Sequence, residues 1–196
     1  MSYPQLTLGS DHWLKEVKQV PSPFYNQRPE STEHKLDISL LVLHHISLPP
    51  RQFGGPYIEQ LFTGTLDPNA HPFFESIQHL KVSAHCLIRR DGEIIQFVPF
   101  DGRAWHAGQS SFAGRAGCND YSIGIELEGS ELDAYTHAQY TNLAKLTDCL
   151  LAHYPQITQE RITGHQYIAP LRKPDPGLTF NWSYFRSLLN NCNTNE

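Results

Sequence analysis

The chain alternates between near-continuous apolar runs and polar, proline- or glycine-marked breaks. Leu40-Leu41-Val42-Leu43-His44-His45-Ile46 is apolar up to two imidazoles, and the polar run from Ser47 follows it, which predicts a buried strand over 38–46. Side chains alternate along a strand, so His44 shares a face with Leu40 and Val42, while His45 turns away with Leu41 and Leu43. Val82 to Ile88 predicts a second strand, Asp91-Gly92 a tight reversal, and Ile94 to Phe100 an antiparallel return. Tyr121 to Glu128 predicts a further strand with Ile123, Ile125 and Leu127 on one face and Ser122, Gly124, Glu126 and Glu128 on the other. A lone carboxylate buried in such a strand is costly, so Glu126 requires a partner, water or a metal. Gly124 leaves space above the sheet beside it. An edge position accounts for Glu128, and Glu126 is placed over the open side of the sheet.

The helical period appears in two places. Residues 133–154 carry Leu143, Leu146, Leu150 and Tyr154 at helical spacing, with Thr136 and Gln139 as a capping box and Pro155 as the stop. Asn181 caps a final helix whose apolar face is Trp182, Phe185, Leu188 and Leu189. A shorter helix is expected around Tyr57 to Phe62, inside a long connection from Pro49 to Leu66 that could cover a groove. Residues 1–36 are broken by Pro4, Pro21, Pro23 and Pro29, with a short edge strand near Val17 and Val20. They read as an extended segment packed on or tethered to a domain spanning 37–192. The order of elements predicts a single α/β domain with a mixed sheet flanked by helices.

Composition narrows the function classes. A net charge of -5 over 196 residues argues against an electrostatic grip on nucleic acid. The glycine-rich stretch 101–118 lacks both phosphate-cradling patterns, so a nucleotide site is not expected. Cys86, Cys118, Cys149 and Cys192 show no paired spacing and are expected as free thiols. No basic segment leads into an apolar run at the N-terminus, and no stretch is long enough to span a membrane, so a cytoplasmic location is expected.

Three residues stand out as candidate metal ligands: His44, His165 and Asp175, each beside an ordered segment and a polar loop. Two imidazoles and one carboxylate match a catalytic zinc site with an open fourth position. Eleven histidines leave other sets open on spacing alone.

Longer motifs extend the picture. They include Ile46-Ser47-Leu48-Pro49-Pro50, Ala70-His71-Pro72-Phe73-Phe74, Val82-Ser83-Ala84-His85-Cys86-Leu87-Ile88, Arg103-Ala104-Trp105-His106-Ala107-Gly108, Ser122-Ile123-Gly124-Ile125-Glu126-Leu127-Glu128, Thr163-Gly164-His165 and Asp175-Pro176-Gly177. Through them the chain, from about Ser22 to Leu189, resembles the zinc-dependent N-acetylmuramoyl-L-alanine amidases of cell-wall recycling, whose fold is shared with peptidoglycan recognition proteins. The resemblance implies Zn2+ held by His44, His165 and Asp175, with Glu126 as general acid/base and Lys173 as oxyanion stabiliser. It implies hydrolysis of the lactyl-amide bond between 1,6-anhydro-N-acetylmuramic acid and L-alanine in soluble anhydro-muropeptides, with no nucleic acid, membrane or obligate protein partner. His45, Tyr57, Trp105, His106 and Arg115 are candidate substrate contacts. Two departures stand out: His45 occupies the place of a common Asn, and Gly117 occupies the place of an Arg. Rival readings are a muropeptide-binding module without catalysis and an amidase acting on intact peptidoglycan.

Overall fold

In the computed structural model, residues 6–30 and 36–192 are described, with side chains described through Leu189. The segment 1–36 is therefore described only in part, and the side chain of Cys192 lies outside the described residues. Among the described residues, ten strands and four helices follow one another. Lys18–Gln19 (β1) and Tyr25–Gln27 (β2) precede the long strand Leu40–Ile46 (β3) and the helix Tyr57–Thr63 (α1). Two 3-10 turns lead into the hairpin Cys86–Ile88 (β4) and Ile94–Gln96 (β5). Short strands Gly102–Ala104 (β6), Ser111–Phe112 (β7) and Arg115–Ala116 (β8) precede Ser122–Glu128 (β9). The helix His137–His153 (α2), the strand Ile162–Gly164 (β10), and the helices His165–Ile168 (α3) and Trp182–Cys192 (α4) complete the order.

Six strands form one sheet in the order β1-β5-β4-β9-β3-β10. Only the β4–β5 hairpin pairs antiparallel in it, so the sheet is mixed, as the sequence predicts. The glycine turn at Gly92 has φ +93°, which the Asp-Gly reversal anticipates. The edge strand expected near Val17 is β1, running parallel to β5.

The alternation along β3 and β9 divides the core. Leu41, Leu43, Ile123, Ile125 and Leu127 point to one face and pack with Leu143, Leu146, Leu150, Phe185 and Leu189 of α2 and α4. α2 begins with the predicted capping box: Gln139 N–H donates to Thr136 Oγ1, and Thr136 N–H donates to Gln139 Oε1. Asn181 Oδ1 accepts from Tyr184 N–H at 2.9 Å and caps α4. Leu40 and Val42 turn to the other face with Ala107, Cys118, Tyr121 and Ile168. Farther along the same side, Ile58, Leu61 and Phe62 of α1 pack with Leu87, Ile95 and Phe97. Part of the predicted long connection is thus a packed helix.

Two expectations about β9 need correction. The strand is central, between β4 and β3, and Glu128 is 1% exposed. Its carboxylate accepts from Gly54 N–H at 2.6 Å, Arg90 N–H at 3.1 Å and Arg89 Nη1 at 3.4 Å, which satisfies a buried charge where an edge position would have used water. The face carrying Glu126 is covered as well; Glu126 is 9% exposed.

Candidate metal centre

Register brings the chemistry together. β3 and β9 pair in parallel with His44 opposite Glu126, Val42 opposite Gly124 and Leu40 opposite Ser122. Imidazole and carboxylate therefore lie side by side on one face near the end of both strands. β10 pairs on the other edge of β3, with Gly164 opposite Leu43, and His165 follows immediately as the first residue of α3. Asp175 reaches the same place from the next loop, its carbonyl accepting Gln166 N–H at 2.8 Å. A Cβ at Gly164 would stand 2.6 Å from Pro176 Cδ, so only glycine lets the 175–176 segment close over the end of β10.

The three donor atoms converge. His44 Nδ1 lies 2.9 Å from His165 Nδ1 and 2.9 Å from Asp175 Oδ2, and His165 Nδ1 lies 3.0 Å from Asp175 Oδ2. All three residues are buried. His165 Nε2 is 3.0 Å from the Ala107 carbonyl, which can only accept, so Nε2 carries a hydrogen and Nδ1 is the nitrogen left facing the other two donors. A lone pair and a carboxylate oxygen facing each other without an intervening proton repel; a cation between them removes the conflict. Burial lowers the His44 pKa to about 4 against the pull of Asp175, so this ring is neutral near pH 7. Burial alone would raise Asp175, but N–H donation and positive charge from protonated imidazoles would outweigh it and hold the carboxyl well below its usual range, a part that falls to a cation when the rings turn lone pairs toward it. A neutral His44 ring and an ionised Asp175 carboxylate are protonation states that metal binding requires. The residues present fit zinc, whose common ligands are nitrogen and carboxylate oxygen.

Glu126 stands beside this set without joining it. Its Oε2 is buried with no hydrogen-bond partner. Burial and the Asp175 carboxylate raise its pKa well above the usual carboxylate value, and Lys173 opposes them. Lys173 itself is exposed on the loop two residues before Asp175.

The other predicted residues divide. His106 joins the cluster, its Nδ1 2.9 Å from His44 Nε2. Burial, together with the neighbouring His44 and His85, pushes its pKa well down, so this ring is neutral. His45 turns away from the triad, as strand alternation requires; its buried Nε2 has no hydrogen-bond partner, and Glu131 Oε2 is 3.6 Å away. Trp105 is 37% exposed under the Arg103 guanidinium. Tyr57 packs on Phe74 with ring centroids 4.8 Å apart. Arg115 pairs with Asp37 at 2.5 Å and stacks on Tyr121, so its charge is engaged away from the triad. His85 is structural: its Nδ1 accepts Gly124 N–H at 3.0 Å and its Nε2–H donates to the Gly102 carbonyl at 3.1 Å. The Ala107 carbonyl behind His165 has no sequence signature, since any residue supplies one.

A family model described as N-acetylmuramoyl-L-alanine amidase matches residues 34–178. The chain belongs to this amidase family. Among curated proteins, the 1,6-anhydro-N-acetylmuramyl-L-alanine amidase AmpD of Citrobacter freundii is 60% identical over 182 residues, 93% of this chain and 95% of the relative. The crystal structure of a selenomethionine AmpD derivative matches the amidase with a TM-score of 0.88 at 59% identity, covering 93% of this chain and 99% of that one. The Escherichia coli amidase AmiD, solved in complex with the substrate anhydro-N-acetylmuramic acid-L-Ala-D-gamma-Glu-L-Lys, matches at a TM-score of 0.59 and 26% identity, covering 84% of this chain and 65% of that one. Among the described residues of the amidase, no helix is long and apolar enough to cross a membrane.

Proposed function

We propose that this amidase hydrolyses the amide bond between 1,6-anhydro-N-acetylmuramic acid and the L-alanine of a stem peptide, with zinc held by His44, His165 and Asp175. The observation that carries the reading is the convergence of three metal-competent atoms within 3.0 Å beside Glu126, whose buried Oε2 has no hydrogen-bond partner, in a chain whose near relatives are named for this reaction. When bound, zinc supplies Lewis-acid chemistry, acidifying water and polarising an amide carbonyl.

Glu126 is the proton carrier. Its raised pKa makes it a stronger base than an ordinary carboxylate, as a group that must both accept and return a proton requires. It takes a proton from the water that attacks the carbonyl carbon, and passes a proton to the alanine nitrogen as the carbon–nitrogen bond breaks. Lys173 acts through its charge: its field already reaches Glu126, and the same ammonium offsets the negative charge growing on the carbonyl oxygen. His45 and the exposed face of Trp105 are assigned to substrate contact.

The substrates are soluble anhydro-muropeptides, and the working compartment is the cytoplasm. Zinc-loaded protein is incubated with anhydro-muropeptide and, separately, with intact sacculi, and released stem peptide is followed by chromatography. Faster release from the soluble substrate is expected. Equal or faster release from sacculi overturns the substrate class, and binding without release from either overturns the hydrolase reading.

A further inference from the structure

The sequence motif around His106 is not used up by the reaction, and neither ring nitrogen of His106 is free for substrate. Nδ1 meets His44 Nε2 at 2.9 Å, and Nε2 meets Ser122 Oγ at 3.2 Å. Ser122 Oγ lies 2.6 Å from the Cys118 carbonyl. A carbonyl oxygen has no proton, so at that distance the one hydroxyl hydrogen of Ser122 points to Cys118. Ser122 Oγ is then an acceptor toward His106, whose Nε2 carries the ring hydrogen. That leaves a lone pair on His106 Nδ1, which accepts from His44 Nε2–H. His44 Nδ1 is thereby left as a lone pair aimed at Asp175 and His165.

The position of His106 is built into the fold. A Cβ at Gly124 would stand 2.4 to 2.7 Å from three atoms of the His106 ring, so the ring occupies the space that glycine leaves on β9. The Asn119 carboxamide oxygen accepts both His106 N–H at 3.1 Å and Ala107 N–H at 2.8 Å. One clamped dipeptide thus supplies the outer partner of each ligand imidazole: the His106 ring for His44, the Ala107 carbonyl for His165.

We infer that His106 is a positioning residue which, through the chain His44–His106–Ser122–Cys118 carbonyl, holds neutral His44 with its hydrogen on Nε2 and its Nδ1 lone pair ready for the metal. The inference rests on the reading of His44 as a metal ligand. No change of charge is involved; the chain selects between two neutral forms of one ring. The opposing tendency is specific: a hydrogen on His44 Nδ1 could be donated to Asp175 Oδ2 at 2.9 Å. Accepting that arrangement would reverse each link and leave Ser122 Oγ and the Cys118 carbonyl in contact without a hydrogen between them. Partners of this kind, behind a metal-binding imidazole, are worth roughly 10–100-fold in metal affinity.

The test uses the whole protein in two measurements. Long-range nitrogen–proton NMR on metal-free protein reads which His44 nitrogen carries hydrogen, and competition with a chromophoric chelator reads zinc affinity. Wild type should show hydrogen on Nε2. His106→Leu, which fills space but accepts nothing, should show a mixed His44 population and bind zinc about 10–100-fold more weakly. His106→Asn, whose amide oxygen falls near the place of Nδ1, should restore much of the affinity. Ser122→Ala, remote from every ligand, should shift the His44 population in the same direction, and it keeps the test available should His106→Leu not fold. Hydrogen on Nδ1 in wild type, or equal zinc affinity in the Leu and Asn variants, overturns the inference. Failure of wild type to bind zinc overturns the earlier functional reading instead.

Discussion

His44, His165 and Asp175 each offer one atom to a point that all three share, and their burial makes the arrangement unforgiving. Removing one ligand leaves a three-ligand site with two, so His44→Ala, His165→Ala and Asp175→Ala should each lose zinc by elemental analysis. Zinc retained at the wild-type level in any one of them removes that residue from the site. Glu126 makes a different demand. Burial and Asp175 raise its folded pKa above 4.5, so the fold holds its proton more tightly than the unfolded chain does. Its contribution to stability is complete below the unfolded value of about 4.5 and is lost as pH rises through the folded value. In metal-free protein, wild type should therefore lose Tm relative to Glu126→Gln as pH rises from about 4 toward about 8. Melting curves across that range check it; a Tm difference that does not change with pH would show that Glu126 is not strained by its surroundings.

Among the elements, β9 carries most of the argument, because one strand holds Ser122, Gly124, Glu126 and Glu128 on a single face. Glu128 shows what the strand does besides placing Glu126 beside the triad. It gathers donors from residue 54 and from the β4–β5 hairpin, so it ties the 53–55 turn to the sheet. Glu128→Gln turns one acceptor into a donor toward those N–H groups and should cost about 1–3 kcal/mol in urea unfolding. An unchanged midpoint would mean that the turn holds without it. The elements themselves were readable in the residues: apolar runs for β3 and β9, Asp91-Gly92 for the hairpin, Thr136 and Gln139 for the start of α2. Glu126 was readable too, as a carboxylate in an apolar strand. The central position of β9 was not, because strand order depends on pairings between distant segments, and a two-residue period looks the same at an edge and in the middle. The role of His106 escaped for a similar reason: its partners are set by where the Asn119 clamp places the loop against β3 and β9. The ligand set itself rested on motif resemblance, since spacing alone left many histidine combinations open.

At the scale of the molecule, the N-terminal segment belongs to the packing around the sheet. Leu14 is fully buried in the same cluster as α2 and β9, and the Arg28 guanidinium donates to the Ser122 carbonyl at 2.8 Å. Leu14→Ala should cost about 2–5 kcal/mol by denaturant unfolding, the usual range for a buried leucine. A loss within a few tenths of a kcal/mol would reduce the segment to a tether. Sheet register, the glycine at 124 and the closing 175–176 loop place His44, His165 and Asp175 beside the Glu126 carboxylate, and the proposed division of labour, in which Glu126 moves the proton and does not hold the metal, is the central claim. It is tested most directly on one preparation of Glu126→Gln, measuring zinc content, anhydro-muropeptide affinity and turnover side by side. The account predicts zinc at the wild-type level, little change in affinity, and turnover lower by roughly 10²–10⁴-fold. Loss of zinc would make Glu126 a ligand, and turnover near wild type would give the proton transfer to another residue; either result contradicts the account.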